Sequence, residues 1–168
     1  MNLERSWPFA AIVVGLLSCS GQVEVSDLTQ RDDVWYVSGS GEPFTGEAVS
    51  WHANGQKQTS KSFRDGKVDG VWIEWNADGK KRYEATWTSG MQQGTSTWWY
   101  ENGQMKKQED YDRDVANGVH REWYENGQKK SERPFIDGEP YGVWTFWTEE
   151  GRKDKVEVYE NGVLARTE

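Results

Sequence analysis

The chain has 168 residues, enough for one domain, but only 35% of them are hydrophobic, which excludes a large apolar core. Aromatic residues make up 14% of the chain and 18 glycines accompany them, so the composition excludes a disordered chain and favours short strands joined by tight turns. A net charge of −8 would be repelled by phosphate groups, so nucleic acid is not expected as a partner.

Residues 1–18 are predicted to be a signal peptide that begins as a short helix. Arg5 precedes an apolar run over residues 9–17, which is too short to span a bilayer but suits the hydrophobic segment of a signal. Leu16-Leu17-Ser18-Cys19 resembles the lipobox of bacterial lipoproteins, in which the cysteine thiol receives a diacylglyceryl group and the chain is cut before the cysteine. The resemblance implies lipidation of Cys19. The alternative is an ordinary cleaved signal with an incidental cysteine.

Cys19 is the only cysteine, which excludes an intrachain disulfide and a multi-cysteine metal site. The lipobox implies an exported protein that is attached to a membrane through Cys19. The residue after the cysteine is Ser20 and not Asp. This resembles the class of bacterial lipoproteins that is sorted to the outer membrane, on its periplasmic or surface side. Residues 19–32 are mixed polar and are predicted to form a flexible tether.

A 24-residue repeat dominates the rest of the chain. It divides residues 33–163 into a short N-terminal cap and five units, at about 43–66, 67–90, 91–114, 115–138 and 139–162, with residues 164–168 left as a tail. Three columns keep the period: the glycines Gly55, Gly79, Gly103, Gly127 and Gly151; the tryptophans Trp51, Trp75, Trp99, Trp123 and Trp147; and the aromatics Phe63, Trp87, Tyr111, Phe135 and Tyr159.

Each unit reads as a β-hairpin. Asn or Asp precedes the middle glycine in four of the five units, and such pairs between alternating runs are the strongest short hairpin signal. One hairpin alone is marginally stable, so neighbouring units must stack. We therefore predict an all-β fold, an elongated and twisted antiparallel sheet of stacked hairpins.

The loop length decides which side chains share a face. A two-residue loop at Asn54-Gly55 would pair Trp51 with Gln58, whereas a three-residue loop with a bulge at Gly55 would pair Trp51 with Lys57. We prefer the second register because it is expected to bring Trp51 and Phe63, and hence both aromatic columns, onto one buried face.

The pattern Gly70-x-Trp72-x-x-Trp75-x-x-Asp78-Gly79-Lys80 resembles the MORN repeat, most closely the bacterial variant found in proteins labelled YwqK-type antitoxins. Val34-Trp35-Tyr36 and Pro43-Phe44-Thr45-Gly46 also resemble the start of that domain. The resemblance covers about residues 33–163. It implies an elongated antiparallel sheet with a binding or scaffold role, and it implies no catalytic residues.

The opposite face of the predicted sheet carries aromatic residues that vary between units, as a binding surface would. They are Trp72, Trp98, Tyr100, Tyr124, Trp144 and Phe146. Exposed aromatic clusters favour contact with a protein or a carbohydrate. A second packed surface, covered by residues 33–45 or by curvature of the sheet, is the alternative interpretation.

Other polar motifs are expected to be structural. His52 and His120 lie in different columns, without the spacing of a catalytic triad or a metal site. Asp110-x-Asp112-x-Asp114 resembles half of a calcium loop, but Val115 and Arg121 stand where that loop needs Gly and Glu. Asp114 also replaces a repeat glycine, so a different local turn is expected there. No metal or other cofactor is predicted.

These features predict a non-enzymatic lipoprotein of the cell envelope that presents a β-sheet for binding or scaffolding, with an unidentified protein or glycan as partner. An antitoxin or immunity protein that blocks a toxin by surface binding is the alternative, since an acidic surface would suit a basic toxin.

Overall fold

The computed structural model describes residues 22–168, which are almost entirely β-structure. The predicted signal helix, the lipobox and Cys19 lie outside the described residues. The strands are β1 (Gln22–Glu24), β2 (Leu28–Arg31), β3 (Val34–Val37), β4 (Gly46–Trp51), β5 (Lys57–Arg64), β6 (Lys67–Trp75), β7 (Lys81–Thr88), β8 (Met91–Gln92), β9 (Gly94–Trp99), β10 (Met105–Asp112), β11 (Val115–Ala116), β12 (Gly118–Trp123), β13 (Lys129–Ile136), β14 (Glu139–Pro140), β15 (Gly142–Trp147), β16 (Lys153–Glu160) and β17 (Val163–Thr167).

One long sheet contains five antiparallel hairpins in chain order, β4-β5, β6-β7, β9-β10, β12-β13 and β15-β16. Strand β1 runs parallel to β4 at one end, and β17 pairs with β16 at the other. The two-residue strands β8, β11 and β14 pair with β7, β10 and β13. The prediction of an all-β sheet of stacked hairpins is therefore confirmed.

The two turns of each unit differ in geometry. At the first turn, Gly55 has φ 83° and its N–H donates to the His52 carbonyl, while the His52 N–H donates to Gln56. The second turn has positive φ at both central residues, as at Asp65 (49°) and Gly66 (74°), which is the twist that a two-residue hairpin loop needs. Asp114 keeps this conformation at φ 66°, so the different turn expected there was wrong. Aspartate tolerates the left-handed region better than most residues.

The register confirms one prediction and corrects another. Trp51 pairs with Lys57 as predicted, but the next pair is Ser50 with Thr59, because a second bulge absorbs Gln58. One extra residue sends the rest of a strand to the other face. The same shift follows the first turn of every hairpin. The prediction that Trp51 and Phe63 share a face was therefore wrong.

We call the two sides of the sheet the cap face and the tryptophan face. The cap face carries the Phe63 column, and the tryptophan face carries the Trp51 column. The fully covered side chains in the middle of the sheet, such as Ala85, Ser96 and His120, belong to the cap face.

An N-terminal cap (residues 22–45) covers the first hairpin on the cap face. Leu28 and Phe44 form a buried cluster with Ala48 and Phe63, and Trp35 packs against it. The ring centroids of Phe44 and Phe63 lie 5.6 Å apart. The prediction of a flexible tether over residues 19–32 was wrong for the part that the structure describes, because residues 22–31 form β1, a 3-10 turn and β2. The apolar side chains of this segment pack against the first hairpin.

Neighbouring hairpins are also joined through their first turns. The Asn54 side-chain amide donates to the Ala77 carbonyl of the next unit (2.6 Å), and Asn102 and Asn126 make the equivalent bonds to Glu125 and Glu149. The Asp78 side chain has no N–H to donate, and in this unit the Lys80 ammonium donates to the Glu101 carbonyl instead (3.1 Å). The turn column therefore fixes the stacking of the units as well as the hairpin loops.

Candidate functional site

The cap face opens into an aromatic groove immediately after the cap. Trp72 and Trp87 of the second hairpin occupy the columns that Ala48 and Phe63 occupy in the first, but the cap does not reach them. The groove has a volume of about 590 Å³. Its lining residues are Trp72, Glu74, Arg82, Tyr83, Trp87, Trp98, Trp99 and Lys106.

Four rings form the walls of the groove. The ring centroids of Trp72 and Trp87 lie 5.6 Å apart, with an angle of 34° between the ring planes. The Trp72 and Tyr83 centroids also lie 5.6 Å apart, with an angle of 87°, and those of Tyr83 and Trp98 lie 5.0 Å apart. Trp72 pairs across the strands with Ala85, which is only 1% exposed. The small side chain leaves room for the indole to lie over the sheet. The alternation of small and large residues thus builds a surface of ring faces and edges.

Charged groups lie at the rim and over the rings. Arg82 forms an ion pair with Glu74, and the Lys61 ammonium lies 3.7 Å from the centre of the Trp72 ring. Burial lowers the pKa of Lys61, and the nearby Glu74 carboxylate opposes that effect. Burial also raises the pKa of the Tyr83 hydroxyl, which is therefore a neutral phenol at physiological pH. The groove combines apolar walls with polar groups that can orient a ligand.

The structure separates the six aromatics of the predicted binding surface. Trp72 and Trp98 line the groove and are joined through Tyr83. Trp144 lies on the same face in the last hairpin, packed between Phe135 (5.0 Å) and Tyr159 (4.5 Å), and Phe146 lies beyond it under Lys155.

Tyr100 and Tyr124 are links between units rather than a free surface. Their hydroxyls donate to the carbonyls of Trp123 and Trp147, both at 2.8 Å. His52 makes the same link in the first hairpin, since its Nε2 donates to the Trp75 carbonyl at 2.9 Å.

Six groove residues are absent from the predicted binding surface: Glu74, Arg82, Tyr83, Trp87, Trp99 and Lys106. Trp87 was assigned to a buried column, which the second bulge places on the same face as Trp72 and Trp98. Arg82 and Lys106 occupy equivalent bulge positions in successive hairpins. The residue types at this position vary, so the sequence carried no signal for them.

His120 is buried within the sheet. Its Nε2 donates to the Asp110 carbonyl (3.2 Å), and its Nδ1 faces the Glu109 carboxylate at 3.6 Å, so both nitrogens point at groups of the sheet. The Tyr111 hydroxyl donates to the Glu109 carboxylate. Burial raises the pKa of Tyr111 most, and the nearby Glu109 carboxylate raises it further. This arrangement holds strands together and has no free group aimed at a ligand.

The three aspartates that resemble a calcium loop are engaged separately. Asp110 accepts a hydrogen bond from the Thr95 hydroxyl (2.6 Å), Asp112 forms an ion pair with Arg113 (3.5 Å), and Asp114 accepts a hydrogen bond from the Gln92 N–H (2.7 Å). Within residues 22–168 there is no group of three side chains suited to hold a metal ion. The same part of the chain has no helix with the length and apolar character needed to cross a bilayer.

Comparison with known families bears on the central hairpins. The MORN repeat variant family matches three segments of the chain, residues 68–88, 92–113 and 116–137. No curated protein matches the chain. Each matched segment spans one hairpin of the sheet, with both strands and the first turn. These three segments, which together cover less than half of the chain, are similar to the MORN repeat variant.

Proposed function

We propose that the protein is a non-enzymatic binding protein of the bacterial cell envelope, anchored by lipids at Cys19, that receives a polypeptide partner in its aromatic groove. A repeat-based binding or scaffold role agrees with the MORN repeat variants of the central hairpins. The choice of groove and partner rests on the groove itself.

The proposal rests on the contrast between two equivalent positions on the cap face, one in the first hairpin and one in the second. In the first hairpin, Phe63 is covered by Phe44 and Trp35 of the chain itself. In the second, Trp87 and Trp72 present the same columns without a cover. A partner polypeptide with two or three apolar side chains would fit there as the cap fits on its own hairpin.

The chemistry of the lining suits a protein interface. Trp, Tyr and Arg dominate the residues whose truncation weakens protein complexes, and the groove supplies all three. Covering one such ring contributes about 1.5–3 kcal/mol before the cost of association. Glu74 and Arg82 at the rim would fix the orientation of the partner.

A photo-reactive side chain placed at Lys106 tests this proposal in intact cells. We expect it to capture envelope proteins, and Trp98→Ser to abolish the capture. Phe146→Ser is the matched control, because it changes the same column of the same face two hairpins away. Capture that survives Trp98→Ser, or that is lost equally in the control, would contradict the groove as the binding site.

The lipid anchor is tested separately. We expect tritiated palmitate to label the wild-type protein and Cys19→Ser to lose the label together with membrane attachment. The lipobox-like segment and Ser20 support an outer-membrane location. A label that persists in the variant would contradict the proposed lipid anchor at Cys19.

An antitoxin is the second candidate, and the net charge of −8 favours it, because an acidic surface attracts a basic toxin. Co-expression with the product of a neighbouring gene tests it. Rescue of growth that depends on Trp98 would support this role, and a neighbouring product that is harmless alone would exclude it.

A further inference from the structure

The tryptophan face carries a periodic stripe on the side opposite the groove. Each first strand of a hairpin ends in a tryptophan: Trp51, Trp75, Trp99, Trp123 and Trp147. Because strands lie about 4.8 Å apart, tryptophans two strands apart recur at about 10 Å, and the stripe extends over about 40 Å.

The stripe is continuous because a long side chain stands beside each ring. The residues paired with the five tryptophans are Lys57, Lys81, Met105, Lys129 and Lys153. The Lys57 ammonium lies 5.8 Å from the ring centre of Trp51 and 5.9 Å from that of Trp75, and so bridges successive rings. Trp51 is 45% exposed, and the other four tryptophans are partly exposed.

Three of the four lysines paired with the tryptophans form ion pairs on the same face, and Lys153 forms none with the described residues. Lys57 pairs with Glu47 at 3.6 Å, Lys129 pairs with Glu132 at 2.8 Å, and Lys81 pairs with Glu84. Alternating rings and compensated charges form a poor surface for anionic headgroups or phosphates. They suit an uncharged ligand that offers apolar faces and hydroxyl groups at regular intervals.

We propose that the tryptophan stripe binds a linear, uncharged glycan of β-1,4-linked sugars, one disaccharide per tryptophan. In such a chain each sugar is turned over relative to the last, so the same C–H face recurs once per disaccharide. That interval is close to the tryptophan spacing of about 10 Å. A sugar's C–H face stacks on an aromatic ring, and the lysine and glutamate side chains between the rings can bond to its hydroxyls.

The twist of the sheet sharpens the choice of glycan. Adjacent strands rotate by about 20–25°, so successive tryptophans are rotated by about 40–50°. A single soluble chain can follow this rotation, whereas the flat surface of a crystalline polymer cannot. The stripe therefore selects dissolved chains. The stripe and the groove share Trp99, so variants at the other tryptophans of the stripe separate this inference from the proposed function.

Calorimetric titration of the protein with β-1,4-linked glucose oligomers of increasing length tests the proposal. We expect affinity to rise roughly two- to tenfold with each added disaccharide until the stripe is filled. β-1,3-linked glucose oligomers are the linkage control and should bind weakly at every length. Affinity that does not depend on length, or equal binding of both linkages, would overturn the proposal.

Two variants of adjacent residues assign the binding to one face. Trp147→Ala should reduce the affinity for long oligomers at least as much as the loss of one disaccharide, whereas Phe146→Ala, on the cap face, should leave it unchanged. Trp51→Ala, at the exposed end of the stripe, provides a variant that is expected to fold normally. Sedimentation and vesicle binding, with phosphatidylglycerol vesicles, are run in parallel. Self-association or vesicle binding that requires Trp51, without oligosaccharide binding, would overturn the glycan assignment.

Discussion

The first and second hairpins share one sequence period but differ in what covers them. Phe63 is 6% exposed beneath the N-terminal cap, whereas Trp87, its equivalent in the second hairpin, lines an open groove. The small Ala48 lies under the cap, and the large Trp72 takes its place where the cap ends. The columns of a repeat therefore set the position and the face of a side chain, while the neighbouring segment decides whether a column becomes buried core or lines an open groove.

The largest expected effect distinguishes core from surface within one column. Phe63→Ala should lower the free energy of unfolding by about 3–5 kcal/mol, because it leaves a cavity beneath the cap. Trp87→Ala should cost markedly less, because its ring is already partly solvated. Urea unfolding of both variants measures the difference, and equal losses would mean that the groove is packed like the cap seat.

The second effect concerns the glycine of the second turn. An added Cβ at Gly66 would lie 2.3 Å from Val34 Cγ1 of the cap, whereas at Gly90 the nearest atom is 3.7 Å away on the Lys67 side chain. Both glycines have positive φ, 74° and 84°, so the conformational cost of alanine is common to them. We expect Gly66→Ala to cost about 1–3 kcal/mol more than Gly90→Ala in thermal unfolding. Identical melting temperatures would indicate that the cap is not seated on Gly66.

A third and smaller effect uses the natural Asn54 and Asp78 difference at the first turn. Asn54→Asp should lower stability by about 1–2 kcal/mol, because it removes the donor to the Ala77 carbonyl and leaves that acceptor facing a carboxylate. Asp78→Asn should be neutral or slightly stabilising, since Lys80 already donates to Glu101. Chemical denaturation measures both, and a stable Asn54→Asp variant would argue against hydrogen bonds between units.

The smallest effect appears only in alkaline solution and is confined to the hairpins that follow the first. Burial raises the pKa of Tyr83, Tyr100, Tyr111 and Tyr159, and the first hairpin contains no tyrosine. Their neutral forms stabilise the fold fully below about pH 10, the unfolded value, and this contribution is lost as the pH rises toward the folded values. Ultraviolet titration should show these phenols ionising later than in the denatured chain. Ionisation of these four tyrosines near pH 10, without unfolding of the protein, would contradict the burial of their hydroxyl groups.

Much of the fold could be predicted because the 24-residue period and the Asn-Gly turns act locally. The hairpins, their stacking and the pairing of Trp51 with Lys57 follow from these signals. The second bulge could not be predicted, because the residue it absorbs is Gln58 in one hairpin and Arg82 in the next. That one residue decided which aromatic columns share a face, and so the groove escaped prediction although Trp72 and Trp98 were recognised as candidates.

The cap was partly missed for a different reason. Val23, Val25 and Leu28 are apolar, but they are separated by polar residues and precede the repeat, so the segment resembles a linker. The segment is ordered because it packs against Ala48 and Phe63 of the first hairpin, and no local pattern in residues 22–31 reveals that contact.

The central claim is that a second bulge places the two aromatic columns on opposite faces, and paired cysteines test it most directly. In a Cys19→Ser background, Ser50→Cys with Thr59→Cys should form a disulfide rapidly on oxidation, because the two hydroxyl oxygens lie 2.8 Å apart. Trp51→Cys with Thr59→Cys should not, because these side chains lie on opposite faces of the sheet. Rapid crosslinking of the second pair and none of the first would return Trp51 to the face of Phe63 and contradict the account.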